Sequence, residues 1–221
     1  NAFFQALQWQ AELPHAYVEL IHTYTAEQAD SAFFYANKAI SAAPGWVLPY
    51  VKLASFSEFQ LGQIEKADSL LNLAYVLDSN AVIVWYEKAR FYQRQWKLEA
   101  SEHWFKKVIS SAAEGICFPC AHNEFGYTYL YNNQISEAEQ EFKQAIQLDS
   151  TVANFHNSLA ALYLETKRYL DAEQPVRTAI KLDSTFVNAY INLAHVFNAS
   201  NRYLEAERTI VYAGPSISLV V

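Results

Sequence analysis

The chain has 221 residues, 52% of them apolar and 18% charged, and a formal net charge of -7. It is too apolar for a disordered chain, it lacks the run of about 18 uncharged apolar residues that a membrane-spanning helix needs, and its acidity argues against binding a nucleic-acid backbone. Five glycines and six prolines are too few for the turns of an all-β fold, and two cysteines are too few for a disulfide scaffold.

The sequence begins at Asn1 and contains no methionine. This reads as an excised or internal segment of a longer chain, or as modified methionines left unwritten; no signal peptide is visible. Residues 1–12, with Phe3, Phe4, Leu7 and Trp9, suggest an extra helix packing on the first repeat of the chain.

The repeats start at residue 13. Ala32 to Ala67 and Ala39 to Ala74 are steps of 35; Ala67 to Ser101 and Leu71 to Phe105 are steps of 34. Ser101 to Ala138 is 37, which places about three extra residues near 111–119. Beyond that the step is 34 throughout: Ala138, Ala172, Ala206; Phe125, Leu159, Leu193; Gly126, Ala160, Ala194; Tyr129, Tyr163, Phe197. The expected repeats cover 13–46, 48–81, 82–118, 119–152, 153–186 and 187–214, with an apolar tail at 215–221.

Within a repeat the apolar spacing is helical. In 153–184, Phe155, Leu159, Leu162 and Tyr163 form one stripe, Tyr169, Ala172, Val176, Ala179 and Ile180 another, and Thr166-Lys167-Arg168 a short turn between them. The unit is a two-helix hairpin whose small residues let the backbones approach. Asp149-Ser150 and Asp183-Ser184 are expected to stop one hairpin and cap the next helix through a side-chain oxygen.

These residues resemble the tetratricopeptide repeat (TPR) family. Phe125-Gly126, Tyr129, Ala138, Phe142, Ala145 and Ser150 follow its pattern, as do Tyr190, Leu193-Ala194, Phe197, Tyr203, Ala206 and Ala213; only Pro44 supplies the closing proline. The resemblance implies an all-α fold, a right-handed superhelix (α-solenoid) of about six repeats, with first helices lining a concave peptide-binding face.

On that alignment the concave face carries Lys52, Phe56 and Phe59 from the second repeat and Tyr86, Arg90 and Arg94 from the third. The fourth gives Asn123, Tyr127 and Tyr131, and the last two give Asn154, Asn157, Asn188, Asn192 and His195. The asparagines are similar to the peptide-holding ladder of the O-GlcNAc transferase TPR superhelix, because an amide both donates to and accepts from a guest main chain. The alternative is that they are ordinary solvated or helix-contacting residues. Lys52, Arg90 and Arg94 are similar to a carboxylate clamp, though neither clamp pair is complete. They suggest a preference for acidic or aromatic-rich segments, against a reading as solvated surface charges.

Cys117-Phe118-Pro119-Cys120 lacks the strand of a thioredoxin-type motif, the adjacent histidine of a haem site and the second ligand pair of a zinc site. Two separate cysteines are the favoured reading, a reversible local disulfide the other. The periodic acids Glu137, Asp171, Glu205 and Glu139, Glu173, Glu207 suit the helix dipole and solvation. Trp85, Trp96, Trp104 and Phe105 suit core packing. No Ser/His/Asp set, phosphate loop or HExxH string occurs, so the chain reads as a non-enzyme without cofactor or metal.

The expected function is a scaffold or adaptor binding a protein or peptide ligand in the TPR groove, with no nucleic acid, no membrane insertion of this segment, and self-association possible. The alternative is the regulatory or substrate-recruiting segment of a larger enzyme or signalling protein. The compartment is not legible beyond a slight lean to the cytoplasm.

Overall fold

The structure, a computed structural model, describes residues 14–111 and 116–212. The expected helix at 1–12 and the tail at 215–221 lie outside the described residues. Among the described residues there are twelve α-helices, one 3-10 turn and no strand. No described helix is long and apolar enough to cross a membrane. The chain divides into two compact units, Asn1–Ile116 and Cys117–Val221.

The first unit holds α1 (Pro14–Ile21), the 3-10 turn Ala26–Gln28, α2 (Ala29–Ala42), α3 (Leu48–Phe59), α4 (Ile64–Leu77), α5 (Val82–Arg94) and α6 (Leu98–Ser110). The second holds α7 (Phe118–Tyr131), α8 (Ile135–Leu148), α9 (Ala153–Glu165), α10 (Tyr169–Leu182), α11 (Val187–Ala199) and α12 (Tyr203–Tyr212). In both, each odd-numbered helix pairs with the even-numbered one after it as a hairpin. Successive hairpins stack, second helix on next first helix, and neighbouring first helices also touch.

Stacking is what makes each hairpin stable, because a lone pair of helices leaves one apolar face in water. The alanine columns sit where it is tightest: Ala32, Ala39, Ala67, Ala74, Ala138, Ala145, Ala172 and Ala179 are fully buried. Larger side chains fill what the alanines leave, with Leu193 and Phe197 of α11 packed against Ala160, Val176 and Ala179.

Five hairpin turns share one geometry. Gly62, Trp96, Asn133, Lys167 and Asn201 each adopt a left-handed conformation, with φ between 56° and 63°. The next residue's N–H returns to a carbonyl six residues back or five: Gln63 to Ser57, Lys97 to Tyr92, Gln134 to Tyr129, Arg168 to Tyr163 and Arg202 to Phe197, at 2.7–2.9 Å. These bonds satisfy carbonyls left open at the first helix's end. Only Gly62 takes this conformation without a Cβ penalty.

Between hairpins the aspartates act differently from the sequence expectation. Asp149 Oδ1 accepts from the backbone N–H and hydroxyl of Thr151, and Asp183 from those of Thr185, at 2.7–2.9 Å. Each organises its own turn; Val152 and Phe186, the N-caps of α9 and α11, make no side-chain cap bond. The aspartate is too far ahead of the helix start to reach its free N–H groups, and the threonine two residues on is within reach.

Candidate functional site

In the first unit, α1, α3 and α5 together line a cavity of about 560 Å³. Leu48, Val51, Phe56, Phe59 and Ile83 give it an apolar lining, and Glu19, His22, Lys52, Glu87 and Arg90 ring it with charge. Of the groove residues expected from the second and third repeats, Lys52, Phe56, Phe59 and Arg90 meet in this cavity; Tyr86 and Arg94 are not in its lining. Phe56 is 2% exposed and packs edge-on to Phe33, so it is a floor offering little contact area.

The charges are partly matched from within. Arg90 lies 3.2 Å from Glu87 and over the Tyr86 ring. Tyr86 meets Phe105 edge to face. Arg94 is committed elsewhere: Nε and Nη2 donate to the two carboxylate oxygens of Glu58 at 2.9 and 2.7 Å, and its guanidinium lies over Phe59. Lys52 has no ion-pair partner among the described residues and is the cavity's cation open to a ligand. Burial first, and the nearby Lys52 second, lower the His22 pKa against an opposing pull from Glu19, so the imidazole is neutral at neutral pH. The sequence reading missed Glu19, His22 and Glu87. For Glu87 the signal was its place one helical turn before Arg90; for the α1 pair it was faint, because the first repeat follows the family pattern least.

In the second unit the asparagines do not act as a uniform column. Asn123 on α7 is 2% exposed and its Oδ1 is buried without a hydrogen-bond partner. Asn157 on α9, also buried, accepts from Asn192 Nδ2 of α11 at 2.9 Å. That pair is turned partly inward, leaving one N–H pair and one oxygen for other use. Asn154, Asn188 and His195 stand on the same first helices, His195 exposed and the other two at least partly accessible. Tyr127 on α7 lies 2.9 Å from Ser158 Oγ, which donates to the Asn154 carbonyl, so Tyr127 is the donor. Burial raises the Tyr127 pKa and keeps its proton in place.

Two further cavities belong to this unit. One of about 340 Å³ is lined by Ile180, Tyr190, Leu193, Phe197 and flanking arginines, and one of about 480 Å³ by His122, Glu141 and glutamines of α8. His122 Nδ1 is 2.6 Å from Glu141. None of the asparagines lines either. No group of three or more His, Cys, Asp or Glu among the described residues is arranged to hold a metal ion.

Three other expectations are corrected. Cys117 and Cys120 form a disulfide, not two separate thiols. Cys117 is the N-cap of α7, and the first helical turn brings Cys120 back to it, its N–H reaching Cys117 Sγ at 3.2 Å. Trp96 is 68% exposed at a left-handed turn, whereas Trp85 and Phe105 are buried as expected. Around Trp85, Trp104 and Tyr75 the packing is filled by cations: Lys107 lies 4.1 Å from the Trp85 ring centre, and Lys88, whose pKa burial lowers, sits 5.0 Å from that of Trp104. Lys88 also donates to Asn72. The periodic acids do more than meet the helix dipole, since Glu139 and Glu173 join neighbouring hairpins through Arg168 and Arg202.

Residues 121–151 match the tetratricopeptide repeat profile. Among solved structures the chain is similar to PilW, described as a widely conserved type IV pilus biogenesis factor, at 15% identity over 89% of this chain and 91% of that one, with a TM-score of 0.78. It is similar to PilF of Pseudomonas aeruginosa at 18% identity over 91% and 92%, with a TM-score of 0.73. It is also similar to YrrB, described as a TPR protein with an unusual peptide-binding site, at 16% identity over 84% and 92%, with a TM-score of 0.58. At these identities the likeness is one of fold. No curated protein matches the chain in sequence.

Proposed function

The chain is a tetratricopeptide-repeat protein in fold, and from that premise we propose that it is an interaction scaffold whose first helices take up an extended segment of a partner protein. The observation that carries this reading is the cavity of about 560 Å³ built by α1, α3 and α5. Its apolar lining of Leu48, Val51, Phe59 and Ile83 suits one large apolar or aromatic side chain, and burying that side chain contributes about 1.5–3 kcal/mol. Lys52, without an ion-pair partner among the described residues, orients the guest by meeting a carboxylate or main-chain carbonyl beside that side chain.

The second unit offers a different chemistry. Asn154, Asn188 and His195 are accessible donors and acceptors for a guest backbone. Asn157 and Asn192 brace one another and keep one hydrogen-bonding group each for the guest. The role is non-catalytic and calls for no cofactor. YrrB, a similar fold, is described by its peptide-binding site, which agrees with this class of ligand.

The test is peptide selection on the intact chain from a displayed random library, followed by titration of the enriched peptides against variants. Enriched peptides are expected to share an apolar anchor next to an acidic residue. Lys52→Glu and Ile83→Asp should each weaken binding at least about tenfold with the helical circular dichroism unchanged. No enrichment, or equal affinity for both variants and the parent chain, sinks the reading.

A further inference from the structure

The disulfide between Cys117 and Cys120 spans only two intervening residues at the start of α7. A loop that short removes little entropy from the unfolded chain, so the bond is a weak staple. The helix does not depend on it either. Ala121 N–H donates to the Cys117 carbonyl at 2.9 Å, and Ala121, Asn123 and Phe125 are buried, so backbone bonding and packing already anchor the first turns of α7. Neither cysteine lines any of the cavities described above. The sulfur–sulfur bond is thus neither what holds this helix nor part of the groove.

The two cysteines are not equivalent. Cys117 is exposed and Cys120 half-buried, so an incoming thiolate reaches Cys117 first. Cys117 Sγ accepts the Cys120 N–H at 3.2 Å, and as the N-cap it stands at the positive end of the helix dipole. No acidic residue in the first turn of α7 offsets that field. Both features favour negative charge on Cys117 once the disulfide opens, which makes it the better leaving group and, when reduced, the more reactive thiol.

We propose that this disulfide is a thiol–disulfide exchange site that accepts two electrons from a dithiol. A thiolate of the dithiol attacks Cys117 Sγ. The Cys117–Cys120 bond breaks, Cys120 leaves as a thiolate, and a mixed disulfide forms at Cys117. The second thiolate of the dithiol then attacks the dithiol sulfur bound to Cys117, and Cys117 leaves as the thiolate that the Cys120 N–H holds. The dithiol is oxidised to a disulfide and the two cysteines are reduced. The two protons given up by the dithiol pass to water and are taken up again as Cys117 and Cys120 protonate. The exchange is stoichiometric, one dithiol for each chain, and leaves α7 folded.

The test uses the full chain in its disulfide form, with dithiothreitol and a synthetic peptide carrying two cysteines as the dithiol probes. Reduction is followed by mass and the helices by circular dichroism. The folded chain is expected to be reduced at least about threefold faster than the chain in urea, with the helical signal unchanged, since the folded N-cap activates the bond. A structural disulfide shows the opposite, because folding shields it. The probe oxidised faster at equal thiolate concentration tells a protein dithiol from a small one. In the single-cysteine variants Cys120→Ser and Cys117→Ser, dithiodipyridine should react at least about tenfold faster with Cys117 than with Cys120 at neutral pH, and the ratio should fall to about one in urea. Slower reduction of the folded chain than of the unfolded one, loss of helix on reduction, or equal thiol rates in the folded variants overturns the proposal.

Discussion

Arg94 of α5 holds Glu58 of α3 through two parallel hydrogen bonds, joining the second and third hairpins on their first-helix side. The Glu58 side chain is only 7% exposed and takes a further bond from Gln95. Removing Arg94 strands a largely buried carboxylate, whereas removing Arg90 breaks a half-exposed contact with Glu87 on the same helix. Arg94→Ala should therefore lower stability by about 1–3 kcal/mol and Arg90→Ala by less than about 1 kcal/mol. Urea titration of both variants checks this, and equal losses would remove the structural role given to Arg94. The reverse order is expected for peptide binding, where Arg90 lines the cavity.

Gly126 marks another tight contact. A Cβ at that position would stand 2.7 Å from two ring carbons of Phe142, and Phe142 is fully buried. The sister repeats resolve the same crossing with different volumes: Ala160 and Ala194 replace the glycine, and Val176 and Ile210 replace the phenylalanine. Gly126→Ala should cost about 1–3 kcal/mol by overpacking, despite alanine's better helix propensity. Adding Phe142→Val should recover part of the loss. Thermal melts of the single and double variants decide it; additive losses would mean the two positions do not press on each other.

The hairpins were legible in the sequence because burial repeats. Ala138, Ala172 and Ala206 must be small for the same steric reason, so their spacing reports the fold directly. The site was less legible because a helix position fixes a direction and leaves open what a side chain meets there. Arg90 and Arg94 share a helix face in the sequence, yet only Arg90 reaches the cavity, since Glu58, thirty-six residues away, captures Arg94. Asn123 and Asn157 likewise share a column but differ in partner, because Asn192 stands one residue off it. Cys117 and Cys120 were ambiguous for a related reason. The spacing permits a disulfide, and what brings the sulfurs together is a helix starting at Phe118.

The disulfide closes a very short loop, so its effect is local. With the loop-closure entropy of about four residues, its contribution is at most about 2 kcal/mol. Reduction should leave the global melt little changed while speeding amide exchange at Cys120, Ala121 and His122, the first turn of α7. Thiol titration of the denatured, unreduced chain should find no free thiol, and two after reduction. Two free thiols without reductant would return these residues to the reading as separate cysteines.

Glu139 supplies the pH dependence. Burial alone would raise its pKa, but hydrogen bonds from Lys143, Arg168 and Tyr163 outweigh burial and bring it down from 4.5 to about 2. Glu173 is shifted the same way, burial being outweighed by Arg177 and Arg202. A carboxylate whose folded pKa lies below its unfolded value favours folding while charged. That stabilisation is complete above the unfolded value near 4.5 and is lost as the pH falls towards 2. Glu139→Gln keeps the size and removes the charge, so it should cost on the order of 1 kcal/mol at neutral pH, the partly exposed partners being screened by solvent. The gap between the variant and the parent chain should close as the pH is lowered from about 5 towards about 2.5, because protonation then makes the parent resemble the variant. Denaturant titrations at several pH values across that window test the argument. A gap that stays constant would place the loss in packing, and the acid–arginine joints would then be geometric contacts without electrostatic weight.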